Sequence, residues 1–201
     1  TMITQVGDPV NVAPKTIHDK QLKHRSLLGF NVTPEEDYLD SRKPVLVNNE
    51  CKIILSAPMS SVTEYFYKNA DADECIFIHR GTGTLKTMYG NLRFEYGDYL
   101  IIPRGTIYQL EFDTDDNRLF IVESTSPIVT PKRYRNTFGQ LEEHSPFCER
   151  DIRKPSVLET HDEKGDFLRY IKKQDNLYPY HYKAHPFDVV GWDGYNYPWG
   201  F

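Results

Sequence analysis

Residues 74–112, ECIFIHRGTGTLKTMYGNLRFEYGDYLIIPRGTIYQLEF, decide how this chain folds. Short runs rich in Ile, Leu, Tyr and Phe alternate here with turn residues. The runs are Glu74 to His79, Thr84 to Tyr89, Leu92 to Tyr96, Tyr99 to Ile102 and Ile107 to Phe112. In the first run, strict alternation places Glu74, Ile76 and Ile78 on one face and Cys75, Phe77 and His79 on the other. Gly90-Asn91 reads as a two-residue hairpin loop, and Gly97-Asp98 and Pro103-Arg104-Gly105 read as turns. Strands this short, at this spacing, predict an all-β sandwich or barrel.

Strand signals continue on both sides. Upstream, Val45-Leu46-Val47 and Lys52 to Leu55 are split by Asn48-Asn49, and Val62 to Tyr67 is aromatic; downstream, Arg118 to Glu123 closes the series. Ahead of them, Thr33-Pro34-Glu35-Glu36 carries an N-cap Thr, a Pro suited to the first helical position and acids for the positive helix end. That predicts a short helix ending near Ser41, because Pro44 follows. The expected organisation is therefore an N-terminal extension with a short helix (1–43), a barrel core (44–126) and a loop-rich extension packed on the barrel (127–201). Within the last part, Phe167 to Lys172 alternates and could form a late strand, while 177–201 reads as loop. The aromatic end Pro198-Trp199-Gly200-Phe201 is expected of a chain that continues, with Trp192, Trp199 and Phe201 facing a covering second half.

The bulk composition narrows the function classes. A net charge of −5 repels phosphate backbones, which argues against general nucleic-acid binding. The basic cluster Lys132, Arg133 and Arg135 is short and reads as a solvated or salt-bridged loop. No apolar run reaches the roughly 18 residues of a membrane helix, and no signal-peptide pattern opens the chain. The odd set Cys51, Cys75 and Cys148, without a CxxC, suggests a reducing compartment, hence the cytoplasm.

Spacing then identifies the barrel type. Glu74, six residues, Gly81 ends one cupin motif; Gly97, five residues, Pro103-Arg104-Gly105 and two further residues bring the second motif to its ligand position. The predicted fold class is an all-β cupin, a double-stranded β-helix or jelly-roll β-sandwich, with long loops. In metal-binding cupins two His and the Glu of the first motif join a His of the second. Here the His-x-His slot falls at Tyr67-Lys68-Asn69 and the last His position is Tyr108. Only Glu74 survives, and one carboxylate cannot hold a transition metal that needs three or more protein ligands. Asn69, Glu74 and Tyr108 are thus expected to be a vestigial site without metal. Elsewhere, His144, Cys148 and His161 fit no zinc spacing. His181 and His185 are expected in loops, since Pro179 and Pro186 exclude a helix. His79 is expected to be a structural residue at a strand end. No phosphate loop, nucleophile elbow or catalytic Cys context is present.

Three segments resemble homogentisate 1,2-dioxygenases: Phe66-Tyr67-Lys68-Asn69-Ala70-Asp71, Ile102-Pro103-Arg104-Gly105, and His185-Pro186-Phe187-Asp188-Val189-Val190-Gly191-Trp192 with Gly194. Asp193 stands where His is common in that family. Pro131 to Tyr134 and His144 to Phe147 look like its bacterial branch. The resemblance implies a bicupin about twice this length and a homo-oligomer. It implies an enzyme that opens homogentisate with O2 to maleylacetoacetate, in tyrosine and phenylalanine catabolism, on Fe(II) held by two His and one Glu. Those ligands would lie beyond residue 201, so no catalytic or cofactor-binding residue carries over to this chain. The competing expectation is a stand-alone metal-free cupin for small-molecule binding or assembly, or an epimerase-like barrel using Glu74 and Tyr108 as an acid/base pair.

Overall fold

The computed structural model describes residues 2–17, 21, 23–157 and 159–188. Trp192, Trp199 and Phe201, and the motif residues after Asp188, lie outside the described residues. The strands are β1 (Ile3–Gln5), β2 (Val10–Asn11), β3 (Lys43–Val47), β4 (Cys51–Ser56), β5 (Phe66–Asn69), β6 (Asp73–Arg80) and β7 (Gly83–Thr87). They continue with β8 (Gly90–Phe94), β9 (Tyr99–Ile102), β10 (Ile107–Phe112), β11 (Arg118–Ser124), β12 (Lys164–Lys173) and β13 (Asn176–Ala184). One short helix, α1 (Tyr38–Ser41), precedes β3.

Two sheets form the cupin sandwich. The larger runs β1-β13-β12-β5-β10-β7-β8, with β2 also on β13; the smaller runs β3-β4-β11-β6-β9. Side-chain parity supplies the core between them. Glu74, Ile76 and Ile78 are fully buried on β6, as alternation predicts, while His79 is exposed. Ile54, Leu85, Phe94, Leu100, Leu110, Leu119 and Ile121 complete the interior. A smaller cluster of Phe66, Ile107 and Phe187, joined by Phe167, lies on the outer face of the large sheet. Gly81, Gly97 and Gly105, the motif glycines, all have positive φ, which is why those turns take glycine. Among the described residues no helix is long and apolar enough to cross a membrane.

Three local expectations are corrected. The helix starts later than Thr33: Asp37 is the cap, its side chain accepting from the Leu39 and Asp40 amides. Glu35 is instead held by a β-bridge to Pro58, so the acidic pair serves an extended strap. The β7–β8 hairpin has Met88-Tyr89 at its tip, with Thr87 opposite Gly90, so Gly90-Asn91 begins β8. Thr87 organises this turn, donating to the Gly90 carbonyl at 2.8 Å and accepting from the Tyr89 amide at 3.0 Å. Gly90 is needed for another reason: its φ is +113°, and a Cβ there would come within 2.5 Å of the Val157 carbonyl oxygen. Finally, residues 177–184 are strand, not loop. Gln174-Asp175 both take positive φ in a tight two-residue turn, and Tyr178, Tyr180 and Tyr182 alternate along β13. Pro179 sits just past the end of β1, accepting from the Val6 amide at 3.0 Å. His181 therefore lies within a strand, and His185 one residue after it.

Candidate functional site

The barrel interior brings the predicted positions Asn69, Glu74 and Tyr108 together, with partners that the motif spacing does not name. Glu74 points inward from β6 and Tyr108 from β10, and the Tyr108 hydroxyl donates to Glu74 Oε2 at 2.7 Å. Arg42 enters from the residue after α1. Its Nη2 stands 2.6 Å from Glu74 Oε1 and 2.6 Å from Glu123 Oε1, and its Nη1 donates to the Tyr38 hydroxyl at 2.6 Å. Tyr38 and Tyr108 hydroxyls are 3.2 Å apart. Since the single Tyr108 proton goes to Glu74, the Tyr38 proton goes to Tyr108. The result is a closed hydrogen-bond ring of Arg42, Glu74, Tyr108 and Tyr38.

Glu123 extends the ring. It accepts from Arg42, from Asn69 Nδ2 at 3.1 Å and from Lys172 Nζ at 2.5 Å. Asn69 Oδ1 in turn takes the amides of Asp71 and Ala72 at 3.0 and 3.1 Å. Arg42 and Lys172 balance Glu74 and Glu123, so the buried set is neutral. All four side chains are 8% exposed or less. Buried charges persist only when paired and hydrogen-bonded, and here every one is.

The electrostatics follow from burial. Burial raises the phenols of Tyr38, Tyr67 and Tyr108 well above their ordinary range, reinforced by the nearby Glu74 carboxylate. Burial pushes the Glu123 carboxyl up, but Arg42 and Lys172 outweigh it and hold the carboxyl below its usual value. Arg42 keeps its charge: desolvation works against it, and Tyr38, Glu74 and Glu123 together overcome that. The guanidinium also lies 5.2 Å from the Tyr38 ring centroid and 5.7 Å from that of Tyr67.

The donor set does not fit a transition metal. Glu74 is engaged on both oxygens by Arg42 and Tyr108, Asn69 is committed to Glu123 and the backbone, and among the described residues no imidazole enters the interior. Arg42 is itself a cation in the space that the Glu of the first cupin motif would share with one. Glu74 and Tyr108 are 0% and 1% exposed, so the pair is buried away from solvent. Above them a cavity of about 660 Å3 opens between the N-terminal strap Val12 to Lys15 and the residues Arg42, Lys52, Tyr67, Glu123 and Lys172.

The remaining candidates fall elsewhere. His79 is exposed, packs against Phe30 at 5.0 Å and faces a cavity of about 540 Å3 on the outer side of the small sheet. His161 and His185 stack at 4.1 Å with ring planes 10° apart, near Glu163. Parallel stacked rings aim their lone pairs alongside each other rather than at one ion, and His185 Nδ1 already accepts from the Phe187 amide at 3.1 Å. His181 pairs with Asp166 at 2.6 Å instead. Arg133 rests over the Tyr134 ring at 4.6 Å, as a loop cation does.

Arg42, Glu123, Lys172 and Tyr38 are the residues that motif reading misses. For two of them a signal exists in the sequence: Glu123 shares parity with Leu119 and Ile121, and Lys172 with Leu168 and Tyr170. A charge on the apolar parity of a strand marks a buried pair.

Solved cupin structures are local likenesses with low overall superposition. A cupin-2 domain protein of Shewanella frigidimarina is 19% identical, covering 42% of this chain and 79% of its own, at a TM-score of 0.37. A chain of Ralstonia eutropha provisionally described as a mannose-6-phosphate isomerase is 18% identical, covering 52% of this chain and 100% of its own, at a TM-score of 0.43. By sequence, a protein of Saccharolobus solfataricus that carries the provisional name of a dioxygenase is 39% identical over 180 residues, 90% of this chain. That match takes in 46% of the relative, so the chain spans about half its length. The model of the homogentisate 1,2-dioxygenase N-terminal family matches residues 43–201. With four-fifths of its length inside that model, this chain belongs to the homogentisate 1,2-dioxygenase N-terminal family.

Proposed function

We propose that the chain is the amino-terminal portion of a homogentisate 1,2-dioxygenase, and that this portion is structural and carries no iron. The observation behind the second part is the Arg42 guanidinium, held between Glu74 and Glu123 inside the barrel. An internal ion pair of this kind gives the barrel a fixed, neutral interior in which the surviving cupin carboxylate has no free oxygen. In this reading Fe(II), homogentisate and O2 are handled by polypeptide outside this chain, with the two halves assembling into a cytoplasmic homo-oligomer. The family match and the dioxygenase name of the Saccharolobus relative support the first part.

The test uses residues 1–201 and a longer polypeptide that includes the continuation. Each is loaded with Fe(II) under nitrogen, desalted and analysed for metal, then given homogentisate and oxygen. The shorter chain is expected to retain no stoichiometric iron, zinc or manganese and to give no ultraviolet absorbance of maleylacetoacetate. The longer one is expected to turn over. Turnover by 1–201, or a metal in contact with Glu74, would place the site in the wrong half. The cavity at the barrel mouth favours one alternative, a metal-free small-molecule-binding module. An iron-loaded but inactive longer chain would move the reading there.

A further inference from the structure

We propose that Arg169, with Lys68 beside it, forms a carboxylate-binding site on the outer face of the large sheet. The argument begins with strand parity. On β12, Leu168 and Tyr170 pack against the main core and Lys172 reaches Glu123, so Arg169 faces outward. Its neighbours across the ladder are Phe66 on β5 and Tyr180 on β13, with Tyr182 and Lys68 one step further along. An outward arginine ordinarily extends into water. Arg169 is instead 8% exposed and lies 3.9 Å from the centroid of the Tyr182 ring.

One of its polar atoms has no match. Nε is buried and without a hydrogen-bond partner, and among the described residues neither Arg169 nor Lys68 makes an ion pair. The contrast within the molecule is sharp: Arg42 and Lys172, equally buried, each hold a carboxylate within 2.6 Å. Arginine cannot escape by releasing its proton at neutral pH, so the charge stays. Burial brings its pKa down to about 10, and burial together with Arg169 lowers that of Lys68. The unmatched Nε–H belongs to the edge of the guanidinium that pairs with a carboxylate through two parallel hydrogen bonds. A second cation beside it adds charge for the same group. The chemistry asked for is a carboxylate, supplied by a small free carboxylic acid.

The Arg169 Nε–Hε resonance in residues 1–201, assigned by its loss in Arg169→Gln, reports on the site directly. Sodium acetate is titrated against sodium chloride at matched ionic strength. A saturable downfield shift with acetate alone, weakened about tenfold in Lys68→Met, supports a site open to free carboxylates. No shift, with Hε protected from solvent exchange, would mean that packing against Tyr182 closes the site to free carboxylates, and overturns the proposal. An Hε that exchanges freely and ignores acetate, with Arg169→Gln melting at or above the parent temperature, overturns the proposal.

Discussion

Arg42 Nη2 stands 2.6 Å from Glu74 Oε1, so the one carboxylate that the cupin motif preserves in this barrel is neutralised by a side chain of the same polypeptide. The relationship links two parts of the sequence that look unrelated. Arg42 follows a four-residue helix in the N-terminal extension, while Glu74 begins the first barrel motif. The helix is therefore a plug whose role is to deliver Tyr38 and Arg42 to the interior.

Replacing Arg42 with Leu removes the shared cation and leaves the buried Glu74 and Glu123 side by side, with Lys172 still on Glu123 alone. Breaking a buried pair from one side costs about 3–5 kcal/mol. The urea midpoint of Arg42→Leu should fall accordingly, and Arg42→Lys should recover only part of the loss. A lysine supplies the charge without the planar fork that serves Tyr38 and both carboxylates together. A midpoint for Arg42→Leu equal to the parent's would show that the ring contributes nothing to stability.

Acid should weaken the fold through Glu123. Arg42 and Lys172 hold its carboxyl below the ordinary range, so the folded state binds this proton less readily than the unfolded chain. The stabilising contribution is then complete above the unfolded value of about 4.3 and disappears as pH falls through the folded one. Measured by urea denaturation from neutral pH down to pH 3 or below, the parent should lose its advantage over Glu123→Gln on the acid side. A difference between the two that stays constant across that range would contradict the assignment.

The barrel frame is legible in the sequence because it rests on local chemistry. Gly81, Gly97 and Gly105 mark positive-φ turns, and parity alone places Glu74, Ile76 and Ile78 inside. The interior charges are harder to read because they converge from distant segments: Arg42 lies 81 residues from Glu123, and Lys172 lies 49 from it. No spacing rule connects such positions. The tip of the β7–β8 hairpin was displaced for a different reason. An Asn-following-Gly pair suits a loop, but Thr87 caps the preceding turn and the strap carrying Val157 presses on Gly90. Likewise β13 hides behind Pro179, whose missing donor is tolerated past the end of β1.

Gly90→Ala should be costly although the residue begins a strand. A Cβ would meet the Val157 carbonyl at 2.5 Å and Pro155 Cβ at 2.7 Å, on a backbone with φ of +113°. Strain of this type amounts to about 1–3 kcal/mol, and the neighbouring backbone must also move. Thermal unfolding should show a clear drop, whereas Gly97→Ala, with nothing within 4 Å of its Cβ, should show a smaller one due to its positive φ alone. Equal losses at the two positions would mean that the 155–157 strap does not press on the hairpin.

Lys172 and Glu123 tie the late strand β12 to the barrel, and their coupling is measurable. Lys172→Met leaves Glu123 with Arg42 and Asn69 as its remaining partners; Glu123→Gln leaves Lys172 with Asp175, 3.9 Å away. Each single change strands part of a buried charge, whereas the double change removes both halves of the pair. The double variant should therefore be less destabilised than the sum of the singles by about 1–3 kcal/mol. The sign matters more than the size, because residues in one buried network fail to add while independent sites do add. Strict additivity in urea denaturation would separate β12 from the barrel network. It would leave Arg42, which touches both Glu74 and Glu123, as the cation that ties the interior together.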